Sequence, residues 1–282
     1  MGGGVIGQSA ALKIWRSLLN VPWFICSVFH ANPPIRGHRL VGFGAAVFVA
    51  SDFMEAELAA PRADVNSRLF AEVQAGRPVL LDRSGVARAN AGPGLEVLIL
   101  YGAWLEEIMN AAEAAEARAA FPIAFAELIN GYRIRRFLYE TRAEPQHRFA
   151  EMSGVYRCIA EFPEMRSKLF VSDRDQANLV PASLANVLFR FSEPVFRLAE
   201  SDQQLLRAAA RGSTDTELAR ELGVSIPAIK ARWRSTFARI SEVMPDLCQH
   251  VGNGTLRGAQ KRHRVLAYIR AHPEELRPYA PQ

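Results

Sequence analysis

Between Ile226 and Ile240 the chain carries Lys230, Arg232, Arg234 and Arg239 and no acid. At 100° per residue Ile229, Trp233, Phe237 and Ile240 fall within one arc, while Pro227, Ala231, Arg234 and Ser235 fall in the opposite one, flanked by Lys230 and Arg232. Such a helix has a single apolar stripe to bury, small residues on its outward face and cations around them. The chemistry this permits is polyanion recognition: small side chains let the helix enter a major groove, and Lys or Arg then reach base edges or phosphates. Lys230 and Arg234 are the expected base-edge contacts, and Arg232 is expected to meet phosphate.

Local signals supply the elements that must position these side chains. Ser225 caps the basic helix, with Pro227 tolerated in its first turn. Thr214 and Glu217 form a capping box that opens "DTELAREL", and Gly223 ends it; Ser201 with Gln204 is read as a further box opening "DQQLLRAAAR", which Gly212 ends. The three helices then share a small core of Leu205, Leu206, Leu218, Ala219, Leu222 and Val224. Thr214, through its hydroxyl or the helix it caps, is placed to hold another phosphate.

The charge distribution agrees. Thirteen Lys/Arg face eight Asp/Glu after Glu200, whereas the preceding residues carry 21 of each, so the whole positive excess of the 282-residue chain lies in its last 82 residues. A polyanion-binding end attached to an electrically neutral domain accounts for that asymmetry.

These residues resemble the LuxR/GerE-type DNA-binding domain. Its signature, roughly G-x-S/T-x-x-E-I-A-x-x-L-x-V-S-x-x-T-V-K-x-H, meets Gly212, Thr214, Glu217, Leu218, Ala219, Leu222, Val224, Ser225, Ala228, Ile229, Lys230 and Arg232 here. Ala228 and Arg232 replace the usual threonine and histidine, Ala199 and Asp202 stand where Thr and Glu usually open the first helix, and Arg239–Ile240 stands for Lys-Leu. The family's fourth helix, commonly a dimerisation element, is displaced by "SEVMPDLCQHVGNGTLRG", and "AQKRHRVLAYIRAH" looks like its equivalent. The resemblance covers about 75 residues and implies binding to double-stranded DNA as a homodimer, at Thr214, Ser225, Pro227, Lys230, Ala231, Arg232, Arg234 and Ser235. The basic cluster Lys261, Arg262, His263 and Arg264 reads equally as a solvated helix face or a second DNA contact.

Residues 1–197 read as an α/β (α+β) domain and 198–282 as the small all-α one. In the first part, an amphipathic stretch with Leu12, Trp15, Leu18 and Leu19 predicts a helix, and Trp23 to Phe29 a short strand. The turn "NPPIRGH" leads to the buried strand "RLVGFGAAVFVAS". Asp64 is expected to cap a helix over 64–76, with Val65, Leu69, Phe70 and Val73 inward. "PVLLD" and "LEVLILYG" predict strands, 103–120 and 125–141 helices, and "KLFVSD" and "NVLFRFSEPVFRL" closing strands. The glycine-rich residues 1–7 are expected to be loosely held.

This order is similar to the acyl-CoA-dependent N-acetyltransferase fold, in which a central strand abuts the cofactor. That family's pyrophosphate loop, Q/R-x-x-G-x-G/A opening a helix, is absent from "DFMEAELAAPRADVNSRL", so the resemblance points to a ligand-sensing relative of that fold more than to an active enzyme. The alternative function is accordingly an acyltransferase-like protein whose helical end is an interaction module.

Other chemistry is sparse. His30 and His38 lie eight apart with no carboxylate or cysteine partner. The adjacent Glu106 and Glu107 would point to different sides of a helix and make a poor acid/base pair. Tyr101 and Trp104, with Gly42 and Gly44, could line an apolar pocket or pack a core. Cys26, Cys158 and Cys248 have no metal or disulfide spacing, which fits a reducing cytoplasm. The run 9–31 is too interrupted for a membrane span. The expectation is therefore a cytoplasmic, non-enzymatic transcriptional regulator without cofactor or metal, in which a small-molecule effector or dimerisation acts through the first domain.

Overall fold

The computed structural model describes residues 8–19, 21, 24–180, 185–248 and 258–280; the expectations for 1–7 and for Pro22 and Trp23, and part of the segment displacing the fourth helix, lie outside them. The chain divides into two compact units, Met1–Arg190 and Phe191–Gln282. The break comes ahead of the expected 197/198 because Phe196 and Leu198 belong to the helical core, and the buried Glu275 carboxylate accepts the backbone N–H groups of Val195 and Phe196 at 2.8 and 3.0 Å.

The first unit contains helices α1 (Gln8–Leu18), α2 (Ser51–Ala59), α3 (Val65–Gln74), α4 (Arg83–Ala91), α5 (Ala111–Ile129), α6 (Glu144–Met152), α7 (Arg174–Asn178) and α8 (Ala185–Leu188). Its strands are β1 (Ile25–Ile35), β2 (His38–Val49), β3 (Leu95–Trp104), β4 (Ile134–Thr141), β5 (Arg157–Phe162) and β6 (Ser167–Asp173). They form one mixed sheet in the order β1-β2-β3-β4-β6-β5, antiparallel except for the parallel pair β3 and β4.

Central strands of this sheet are covered on both faces, which is why they read as nearly continuous apolar runs. Ala45, Val47, Val49, Leu98 and Leu100 pack with α1, α2 and α3 through Ile14, Leu18, Met54 and Leu69. Their alternating neighbours Ala46, Phe48, Val97 and Ile99 pack on the other face with Val86 of α4 and Phe125 and Ile129 of α5.

Several local expectations are corrected. The segment 103–120 is not one helix: β3 runs to Trp104, a 3-10 turn takes Glu106–Ile108, and α5 starts only after Asn110, whose side chain caps it in a reciprocal box with Glu113. The segment 125–141 splits into the end of α5 and β4, since Gly131 at φ 85° ends the helix. "NPPI" is strand, and the turn lies at Arg36 and Gly37. "PVLLD" makes only an isolated bridge between Leu80 and Val49. "NVLFRFSEPVFRL" holds α8 and irregular chain and no strand.

The second unit comprises α9 (Glu200–Ala210), α10 (Asp215–Glu221), α11 (Ile226–Val243), α12 (Pro245–Cys248) and α13 (Gly258–Ala271). Its core gathers Leu205, Leu206, Leu218, Ile229, Trp233 and Ile240 with Val265, Leu266 and Ile269 of α13, so the displaced fourth helix is part of the fold.

Candidate functional site

Two regions can do chemistry, one in each unit. In the second, α10 and α11 are fixed by the capping signals legible in sequence. The Thr214 hydroxyl accepts the Glu217 N–H at 3.3 Å, and the Glu217 carboxylate accepts the Thr214 N–H at 2.8 Å. The Thr214 N–H, and then its hydroxyl, which donates to the same carboxylate at 2.8 Å, hold the Glu217 carboxyl below its ordinary range. The Ser225 hydroxyl accepts the Ala228 N–H at 3.3 Å. Gly212 and Gly223 take φ of 95° and 63°, the left-handed conformation that ends α9 and α10 cheaply. The box expected from Ser201 and Gln204 is absent: α9 begins at Glu200 after Ala199, with no side-chain cap.

Along α11 the burial follows the phase read from the sequence. Ile229, Trp233 and Ile240 are buried and Phe237 half-buried, whereas Pro227, Lys230, Ala231, Arg234 and Ser235 are exposed. Arg232 is half-buried at the edge of this face, and Thr214 and Ser225 are exposed. Two contacts hold the helix against rotation. The Thr236 hydroxyl, buried, lies 2.9 Å from the Asp202 carboxylate of α9. Arg262 of α13 stands 4.7 Å over the Trp233 ring and pairs with Asp215 at 2.8 Å and the Ser213 carbonyl at 2.7 Å. Arg262 thus serves the packing, which the sequence alone left undecided.

The second region arises where β3 leaves β4. Register between β2 and β3 slips between Ala45 and Ala46, leaving Leu100 as an extra residue, and the β3–β4 pairing ends at Ile99 with Tyr139. Beyond this point β3 has no strand beside it on the β4 side, and side chains take over. Asn66 donates its side-chain amide to the Leu100 carbonyl at 2.6 Å, and Gln146 donates to that of Gly102 at 2.9 Å.

The divergence opens a cavity of about 450 Å³. Its walls come from the end of β3, from Phe121, Pro122 and Phe125 of α5, from Gln146 and Phe149 of α6, and from Tyr139 and Tyr156. Phe121 lies between Trp104 and Phe125, with ring centroids 5.1 and 6.2 Å away, and Phe29 closes on Trp104 at 5.0 Å. Gly42 and Gly44 make room for these rings: a Cβ on Gly42 would stand 2.5 Å from Trp104, and one on Gly44 would strike Phe121. Of the four residues that the sequence left between a pocket and a core, Trp104 lines the cavity, the two glycines shape its wall from behind, and Tyr101 is exposed.

Tyr139 and Tyr156 pair at 6.2 Å, and burial pushes both phenols well above their ordinary range, so both hydroxyls stay protonated donors. Sequence reading misses both: it predicts helix where β4 carries Tyr139, and it assigns no element around Tyr156. Glu106 and Glu107 both fall in the 3-10 turn and not on an α-helix. His30 pairs with Leu40 and His38 with Ile35 across the β1–β2 hairpin, and the described residues contain no cluster able to hold a metal.

The architecture is thus a mixed α/β domain with a six-stranded sheet followed by a small helical domain. No helix among the described residues is long and apolar enough to cross a membrane. No protein-family model matches the chain and no curated protein does. Among solved structures it is similar to the C-terminal condensation domain of Ebony in complex with beta-alanyl-dopamine, with 12% identity and a TM-score of 0.37, over 60% of this chain and 83% of that one.

Proposed function

We propose that the chain is a cytoplasmic, homodimeric transcriptional regulator that enters the major groove of duplex DNA with α11 and senses a small molecule through its first unit. The observation that carries this reading is the exposed face of Pro227, Lys230, Ala231, Arg234 and Ser235, small residues flanked by cations on a helix whose opposite side packs on the core through Ile229, Trp233 and Ile240. A phosphate contact from Arg232 sets the register; the α10 N-terminus at Thr214 is already occupied by the Glu217 carboxylate and is a poor phosphate site.

A protein that reads DNA in this way releases counterions on binding. Its affinity for a genomic duplex falls roughly a hundredfold between about 50 and 200 mM salt if three or four phosphates are neutralised. Fluorescence anisotropy across that range measures the slope; a flat response rules out the polyanion-binding assignment.

A second reading, an acyl-CoA-dependent acyltransferase, is favoured by one feature, the parallel pair β3 and β4 that parts around a cavity. The residues do not fit the cofactor. In that fold the pyrophosphate sits on amides opening the helix after the central strand, which is β3 and not β2. The segment "LEEIMNAAE" there has no glycine. The Asn110 side chain already accepts the N–H groups of Ala112 and Glu113 at 2.9 and 3.0 Å, and the Glu113 carboxylate accepts the Asn110 N–H at 2.8 Å. An occupied N-terminus bearing a carboxylate repels a diphosphate. Acetyl-CoA is accordingly expected to leave the melting temperature unchanged, whereas a shift of several degrees would favour the enzyme.

A further inference from the structure

The cavity between β3 and β4 narrows the class of molecule that the first unit can take. Its walls are almost entirely aromatic and aliphatic, from Trp104, Phe121, Phe125, Phe149, Val155 and Leu188. Within this lining, Gln146 is committed to the chain itself: its amide donates to the Gly102 carbonyl and its oxygen accepts the Arg142 N–H at 2.9 Å. Ser153 is committed likewise, donating to the Ala150 carbonyl at 2.7 Å. Arg118 contributes the cationic side chain, and it stands exposed at the edge.

That leaves two phenols and the Trp104 indole N–H. Tyr139 projects from the last β4 residue paired to β3, and Tyr156 lies beside it just ahead of β5. Both line the cavity, and neither hydroxyl has a hydrogen-bond partner among the described residues. Both tyrosines are half-buried, and a ligand acceptor entering the cavity would take the place of water at these hydroxyls.

From this geometry we infer that the cavity binds a small, uncharged, largely apolar molecule whose carbonyl-type oxygen accepts hydrogen bonds from Tyr139 and Tyr156. The inference rests on the reading of the first unit as a sensing domain. The volume is that of ordinary small-molecule sites, and the apolar walls supply affinity while the phenols supply orientation. A charged ligand is disfavoured by the same burial that holds the phenols protonated. A thioester carrying a nucleotide diphosphate is disfavoured by the Glu113 carboxylate in the capping box of α5.

The test uses the full chain without DNA, so that failure of DNA recognition does not affect it. The fluorescent amine N-phenyl-1-naphthylamine is bound first, then displaced by 4-phenyl-2-butanone, by the matching hydrocarbon (3-methylbutyl)benzene, by 4-phenylbutanoate and by acetyl-CoA. The ketone is expected to compete at about tenfold lower concentration than the hydrocarbon, the worth of one or two hydrogen bonds, and neither the carboxylate nor acetyl-CoA is expected to surpass it. Tyr139→Phe with Tyr156→Phe is expected to abolish the preference for the ketone while leaving the probe bound, which also reports that the fold is intact. Equal competition by ketone and hydrocarbon in the unaltered protein overturns the inference, as does a preference that survives the double substitution or stronger competition by either anion. The first of these comparisons requires no variant.

Discussion

Lys230 and Arg234 are exposed and touch nothing that holds the second unit together, so their removal separates recognition from folding. Replacing both by alanine is expected to leave the thermal midpoint unchanged and to weaken specific DNA binding by about 1–3 kcal/mol for each side chain that reads a base edge. Arg262→Ala has the reverse signature, because its guanidinium covers Trp233 and pairs with Asp215. Glu217 offers a pH-dependent test. Its folded-state pKa lies below the unfolded value of about 4.3, so its stabilisation is present above that value and lost as pH falls through the lower folded one. In urea titrations between about pH 5 and pH 3 the unaltered protein is expected to lose more of its midpoint than Glu217→Gln, which keeps a neutral box. Parallel losses would mean that the carboxylate charge contributes nothing to the cap.

At the scale of elements, the cavity depends on glycines that admit aromatic rings. Gly44→Ala drives a methyl group into Phe121, which is wedged between Trp104 and Phe125, and the expected cost is about 1–3 kcal/mol of unfolding free energy from overpacking. Chemical denaturation measures it; a neutral result would show that Phe121 can move aside. The same elements explain what could be read in advance. Helices α10 and α11 were legible because their signals are local: Thr214 with Glu217, Ser225, two terminal glycines and a stripe at helical spacing. Strands β2 and β3 were legible as apolar runs. The cleft was not, because it follows from a one-residue slip at Leu100 and from side chains such as Asn66 and Gln146, which reach β3 from 34 and 44 residues away. Tyr139 was hidden for a related reason. "INGYRIRRFLYET" mixes helix formers (Arg133, Arg135, Arg136, Leu138, Glu140) with β-favouring Tyr, Ile and Phe, and pairing with β3 and β6 makes it strand.

At the scale of the molecule, Phe191–Gln282 has its own core, running from Phe196 to Ile269, and its own buried carboxylate anchor at Glu275. Residues 191–282 are therefore expected to fold alone with a cooperative thermal transition, whereas a fragment starting at 198 lacks Phe196 and both amide bonds to Glu275 and is expected to melt lower. Equal stability of the two fragments would argue against the break at 190/191. The neutral charge of the preceding residues and the positive excess of the last 82 follow nearly the same division, and on the proposed function polyanion binding would belong to the second unit and ligand sensing to the first.

The most direct test of DNA recognition by α11 is a selection of genomic fragments by the full-length protein at physiological salt, run in parallel with the Lys230→Ala, Arg234→Ala variant. Enrichment of a few discrete sites by the unaltered protein, abolished in the variant, is the predicted result. Identical enrichment by both proteins, or retention of DNA without preference for any site, would contradict major-groove reading by α11.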